Sequence, residues 1–265
     1  MIVISSRFRG PPESGHGGYT CGLLAREIDG AAAVTLHVPP PLERHLTVER
    51  GSDHLVLLRD GDAIVAEARP TTLDLEPPPP VDPEQAEAAR SGYLGFRDHP
   101  FPRCFGCGPE RDEGDGLRLF PGPVDGRDLI ACAWRPDPAL AGKDGTVRSE
   151  FVWAALDCPT AFACEPTGPT IVLARLTGRI DKPIHADEPH VVSAWHIARD
   201  GRKHHSACAI STPEGEPLAL SQALWIELKN PTVFGVAARS DESAATRASD
   251  SQHHVDETAG ARPER

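Results

Sequence analysis

The chain has 265 residues, enough for one large or two small domains, and a hydrophobic fraction of 39%, held down by 27 prolines and a polar C-terminal stretch. Its net charge of −12 argues against nonspecific binding to nucleic acid or to anionic membrane surfaces, though a local basic patch can still hold a small ligand. No apolar run approaches the roughly 18–20 residues of a membrane span. Met1-Ile2-Val3-Ile4 reads as a first strand and not as a signal peptide, so a cytoplasmic protein with reduced cysteines is expected.

Ile2–Phe8 predicts a short strand, and Gly10-Pro11-Pro12 turns the chain into a glycine-rich start, Gly15-His16-Gly17-Gly18. A helix over Tyr19–Ile28 follows, stopped by Asp29-Gly30. Ala33–Val38, Leu46–Glu49, Leu55–Arg59 and Ala63–Ala68 read as strands, the last two joined by a hairpin at Asp60-Gly61. Thr71–Pro83, with four consecutive prolines from Pro77, reads as an extended linker, and Glu84–Arg90 as a short surface helix. Asp98–Gly116 is a loop carrying Cys104-Phe105-Gly106-Cys107-Gly108.

The second half repeats the order with longer strands. Leu117–Phe120 and Leu129–Trp134 precede a helix over Gly145–Cys164. Thr170–Ile180, Val191–Arg199, His204–Ser211 and Leu218–Leu228 follow as strands suited to a curved antiparallel sheet. The organisation expected is an N-terminal half over residues 1–76, a linker over 77–103, a C-terminal half over 104–230 and a disordered tail over 231–265.

Within Gly145–Cys164, Val147, Phe151, Ala154, Ala155 and Cys158 fall on one helical face. Asp157 comes late in this apolar helix, just before Pro159, which should end or kink it. A carboxylate near the negative end of a helix is disfavoured by roughly 0.3–1 kcal/mol. Aligning Gly17–Gly18 with Gly145–Thr146 places Ala25 opposite Asp157. One half has the glycine pair and the other has the acid.

Three stretches, Cys104–Phe120, Asp144–Ala163 and Arg179–Trp225, resemble the thioesterase superfamily of phenylacetate-pathway type. Members of that family carry Cys-Phe-x-Cys-Gly, a His-Gly-Gly helix start and a Leu-Asp-Glu on the helix. The first half, from Ser14 to Ala68, is similar more distantly. The resemblance implies an α+β double hot-dog fold, in which two curved antiparallel sheets each wrap a long helix. It also implies an acyl-CoA thioesterase-like hydrolase. The sequence departs from the pattern in a complementary way. The second half has Asp144-Gly145-Thr146 and Leu156-Asp157-Cys158, while the first keeps His16-Gly17-Gly18 but has Ala25-Arg26 in place of the acid.

Thioester hydrolysis needs a preorganised donor for the oxyanion and a carboxylate that activates water or attacks the carbonyl. The resemblance therefore implies one composite site, with Gly17 and Gly18 as oxyanion donors, His16 as a positioning group and Asp157 as base or nucleophile. Arg175, Arg179 and Lys182, within the densest basic set, are candidates for the phosphates of coenzyme A. Cys158 is read as inert packing rather than a nucleophile. Cys104, Cys107 and His99 give three potential zinc ligands where a structural site uses four, so no metal or cofactor is expected. The rival reading is a hot-dog protein that binds acyl-CoA or a lipid without hydrolysing it. The resemblance also leaves room for a homodimer.

Overall fold

The computed structural model describes residues 1–164 and 170–230; the expected tail over 231–265 lies outside the described residues. Alternating apolar residues and glycine turns give strands β1 (Ile2–Val3), β2 (Ala32–Leu36), β3 (His45–Arg50), β4 (Val56–Asp60), β5 (Ala63–Pro70), β6 (Gly122–Pro123), β7 (Ile130–Trp134), β8 (Ile171–Ile180), β9 (His190–Asp200), β10 (Lys203–Ser211) and β11 (Pro217–Glu227). The helices are α1 (Gly17–Ala25), α2 (Pro83–Ala89), α3 (Ser149–Ala155) and α4 (Cys158–Ala163). Gly61 and Gly201, at φ of 58° and 56°, make the turns between β4 and β5 and between β9 and β10, where a side chain would strain the backbone.

Among the described residues all neighbouring strands pair antiparallel in one eleven-stranded sheet, ordered β1-β3-β4-β5-β2-β8-β11-β10-β9-β7-β6. The two sheets expected from sequence are thus joined edge to edge: β2 pairs β8 with Ala32 opposite Gly178 and Thr35 opposite Arg175. The pairing gives two otherwise exposed edges their backbone partners. The helices are short, α1 having nine residues, α3 seven and α4 six.

Three local differences from the sequence expectations have physical causes. Only Ile2–Val3 pairs as a strand at the N-terminus, because Ser5 caps a 3-10 turn over Ser6–Phe8. Leu117–Phe120 is not a strand: Leu117 N–H and Leu119 N–H donate to Phe105 and Gly106 carbonyls, so the cysteine loop takes its amides. The expected helix over Gly145–Cys164 begins only at Ser149 and breaks at Leu156-Asp157. Pro159 sits in the first turn of α4, where a missing N–H costs nothing, so it opens a second helix as well as closing the first.

The sheet buries both faces near its C-terminal strands. Val192, Ala194, Cys208 and Ile210 join Leu24 and Trp153 in the main core, on the side of α1 and α3. The alternate residues face the other way. Val191 packs with Val81, Ala86 and Ala89, and Ala209 with Leu73, so the proline-rich segment and α2 run over the opposite face. His190, at the start of β9, is buried beside Trp134 and bonds the His185 carbonyl through Nε2 at 3.1 Å; its Nδ1 has no partner. Burial lowers its pKa below the ordinary 6.5. The folded state therefore resists a proton that the unfolded chain accepts, and stability should fall as pH drops through about 6.5. We expect urea midpoints to fall less in His190→Gln than in wild type between pH 7.5 and 5.5; parallel falls would assign the acid sensitivity elsewhere.

Candidate active site where the two central helices meet

The site begins with glycine. Helices α1 and α3 touch backbone to backbone, because a Cβ on Gly18 would lie 2.4 Å from Asp157 Cβ and 2.6 Å from the Trp153 carbonyl oxygen. One turn on, a Cβ on Gly22 would lie 2.5 Å from Glu150 Cα. Only glycine permits that approach. Asp157, in the break between α3 and α4, is thereby placed against the first turn of α1. Its Oδ2 accepts from Gly18 N–H at 2.6 Å and lies 3.4 Å from His16 Nδ1. Asp157 ends one helix, yet its carboxylate sits at the positive end of another, which offsets the disfavoured position read from sequence.

Both side chains are buried, with Asp157 3% and His16 1% exposed. Burial raises the Asp157 pKa to about 6, against the opposing pull of His16 and the Gly18 N–H. For His16, burial disfavours the charged ring, but Cys104 and Asp157 outweigh it and the pKa is raised. His16 caps α1, its Nδ1 accepting from Tyr19 N–H at 3.2 Å. Asp157 Oδ1 has no hydrogen-bond partner. A buried carboxylate with a held oxygen and an unpaired one, in the range suited to proton transfer near neutrality, has the character of a general base.

A sulfur cluster adjoins it. Cys158 Sγ lies 3.1 Å from His16 Nε2 and 3.6 Å from Cys104 Sγ. Cys107 packs with Cys104 and Cys158, and His99 Nε2 lies 3.2 Å from Cys107 Sγ. The thiols of Cys107 and Cys158 stabilise a Cys104 thiolate and hold its pKa well below the usual thiol value, while those of Cys107 and Cys158 are raised. The neighbouring thiols and burial push the Cys158 thiol up, which disfavours the thiolate a nucleophile needs. Sequence reasoning had Cys104 and Cys107 together but not Cys158 and His16 beside them. The only available signal was that Cys158 directly follows Asp157.

The proposed basic contacts lie elsewhere. Arg175 and Arg179 alternate along β8 with Leu176 and with Gly178, which packs on Trp153, so they project from the opposite face. Arg175 Nε donates to Thr35 Oγ1 at 2.9 Å, Arg179 Nε pairs with Asp181 at 2.9 Å, and Lys182 pairs with Glu216. The structure brings together Asp157, His16, Gly17 and Gly18, and leaves the three cations apart from them.

The chain is similar in fold to a TesB protein of Mycobacterium avium subsp. paratuberculosis, at 13% identity over 83% of this chain and 89% of that one, TM-score 0.53. It is similar also to acyl-CoA thioesterase II TesB2 of Mycobacterium marinum, at 13% identity over 81% and 90%, TM-score 0.51. The fold is that of the hot-dog thioesterases. A third similar structure, from Novosphingobium aromaticivorans, has 12% identity over 86% of this chain and 94% of that one, with a TM-score of 0.54. Such coverage of each partner matches the tandem arrangement that the two halves suggested. No protein-family model and no curated protein sequence matches the chain. Among the described residues no helix is long and apolar enough to cross a membrane.

Proposed function

We propose that this chain is an acyl-thioester hydrolase of double hot-dog architecture, with residues 1–76 and 104–230 as its two halves and 77–103 as their linker. Its one active site is composite. The observation that carries this reading is the 2.6 Å bond from Gly18 N–H, in the first half, to the Asp157 carboxylate, in the second. It joins the glycine pair and the acid that the sequence distributes between the halves.

In this reading Asp157 Oδ1 takes a proton from the attacking water while Gly18 N–H fixes the carboxylate and His16 packs beside it. Among the N–H groups of the first turn of α1, Gly18's is taken by Asp157 and Tyr19's by His16. That assigns Gly17 N–H to the oxyanion. This differs from an equal sharing of that task by both glycines. The substrate class is an acyl-CoA, by the likeness to an acyl-CoA thioesterase, and the compartment is the cytoplasm, with a homodimer as the assembly to test. Arg175, Arg179 and Lys182 have protein partners and do not support the reading.

The test is a thiol-release assay across acyl-CoA chain lengths. Saturable turnover with at least one chain length is expected. Binding of the same ligands without thiol release would replace the hydrolase by a non-catalytic acyl-CoA or lipid binder.

A further inference from the structure

Three residues distant in sequence place soft ligand atoms together in one buried spot, and the side chain of Cys107 packs beside them. His16 Nε2, Cys104 Sγ and Cys158 Sγ all lie within 4.8 Å of one another. The Cys107 thiol interacts with those of Cys104 and Cys158. Around tetrahedral zinc, bonds of roughly 2.3 Å to sulfur and 2.0–2.1 Å to nitrogen set ligand atoms about 3.5–3.8 Å apart. The sulfur–sulfur distance of 3.6 Å and the nitrogen–sulfur distance of 3.1 Å are close to those edges.

The backbone makes room for the cluster. A Cβ on Gly106, one of the two residues between the cysteines of the loop, would lie 2.7 Å from both Cys158 Sγ and His16 Nε2. The loop is itself held, with Gly108 N–H donating to the Cys104 carbonyl at 2.9 Å and Tyr93 Oη donating to the Cys107 carbonyl at 2.8 Å. On the far side of the imidazole, Nδ1 lies 3.4 Å from Asp157 Oδ2. With Nε2 as a ligand, Nδ1 would carry the proton, giving up the bond it accepts from Tyr19 N–H for one to that carboxylate, the outer-shell partner that metal-bound histidines ordinarily have.

We propose that Cys104, Cys107, Cys158 and His16 form a structural zinc(II) site. Thiolates with one imidazole suit zinc, and burial of all four leaves no open position for substrate. Each thiol that ligates releases its proton to solvent, and the ion with three thiolates and a neutral imidazole carries a net charge of −1. The site ties the first turn of α1, the cysteine loop and the first turn of α4 to one another. It therefore clamps the segments that bear His16 and Asp157.

The test reads metal rather than turnover, so it stands or falls separately from the hydrolase reading. The full chain, purified without an affinity tag from zinc-supplemented medium, is analysed by atomic emission and by titration with cobalt(II) after thiol reduction. About one zinc per chain is expected, with tetrahedral ligand-field bands and thiolate-to-cobalt charge transfer in the cobalt form. Cys104→Ser and Cys158→Ser should each weaken zinc binding at least about tenfold, whereas Cys132→Ala and Cys208→Ala should hold the metal as wild type does. A wild-type protein with less than about 0.1 zinc per chain and no cobalt charge-transfer band would overturn the proposal, whatever the variants do. So would a mass two hydrogens lower with no metal, the mark of a Cys104–Cys158 disulfide.

Discussion

Asp157→Asn should lower kcat for thioester hydrolysis by about 10²–10⁴-fold, the range attached to a positioned general base. The amide keeps the shape of the carboxylate and still offers an oxygen to Gly18 N–H, so the contact between the halves survives. It cannot take a proton from water. The same substitution should leave thermal stability equal or raise it, because a buried carboxylate with an unpartnered Oδ1 carries a larger desolvation cost than the neutral amide in its place. Lost activity with retained stability separates a catalytic carboxylate from a merely structural one, since breaking a structural contact would lower the melting temperature. The measurement is kcat by thiol release beside melting temperature. A variant that turns over at more than half the wild-type rate would remove Asp157 from the chemistry. KM should change little, because the amide occupies the same volume in the site.

Much of the candidate site's arrangement was legible in residues alone. The lost acid at Ala25 and the lost glycine pair at the second helix start are local facts of sequence, and their complementarity already pointed to a shared site. Proline chemistry placed a helix break beside Asp157, and the break is there. Hairpin glycines and apolar alternation located the long strands of the second half to within a residue or two. The joining of the halves was not legible. Whether β2 meets β8 depends on edge pairing, which side-chain pattern does not encode; either edge strand has the same alternation with or without a partner. The sulfur cluster was hidden for a similar reason. Cys158 reaches Cys104 across 54 positions, and only the packing of α4 against the cysteine loop reveals it. The basic residues of β8 failed differently: their density was real, but strand alternation turned Arg175 and Arg179 away from the helices.

Gly18→Ala sets two rules against each other. Helix propensity favours alanine over glycine by up to about 1 kcal/mol in a helix interior, and less in a first turn. Packing opposes it, because the added methyl would meet Asp157 Cβ at 2.4 Å and the Trp153 carbonyl oxygen at 2.6 Å. Neither is the tip of a flexible side chain, so the helices must separate, and overpacking of this kind costs about 1–3 kcal/mol. Packing should win, and the variant should melt below wild type. The displacement falls on the bond from Gly18 N–H to Asp157. A shift of order 1 Å at a catalytic group costs about 10²-fold, so activity per folded molecule should fall by about that factor. Gly22→Ala supplies the contrast. Its methyl would meet Glu150 Cα at 2.5 Å and Trp153 Cβ at 2.8 Å, one turn further along α1 and away from the carboxylate. It should lose comparable stability while keeping far more activity per folded molecule. Equal activity losses in the two variants would mean that helix spacing as a whole governs turnover and that the Gly18–Asp157 bond has no separate role. Wild-type melting and activity in Gly18→Ala would show that the two helices do not meet at this glycine in solution.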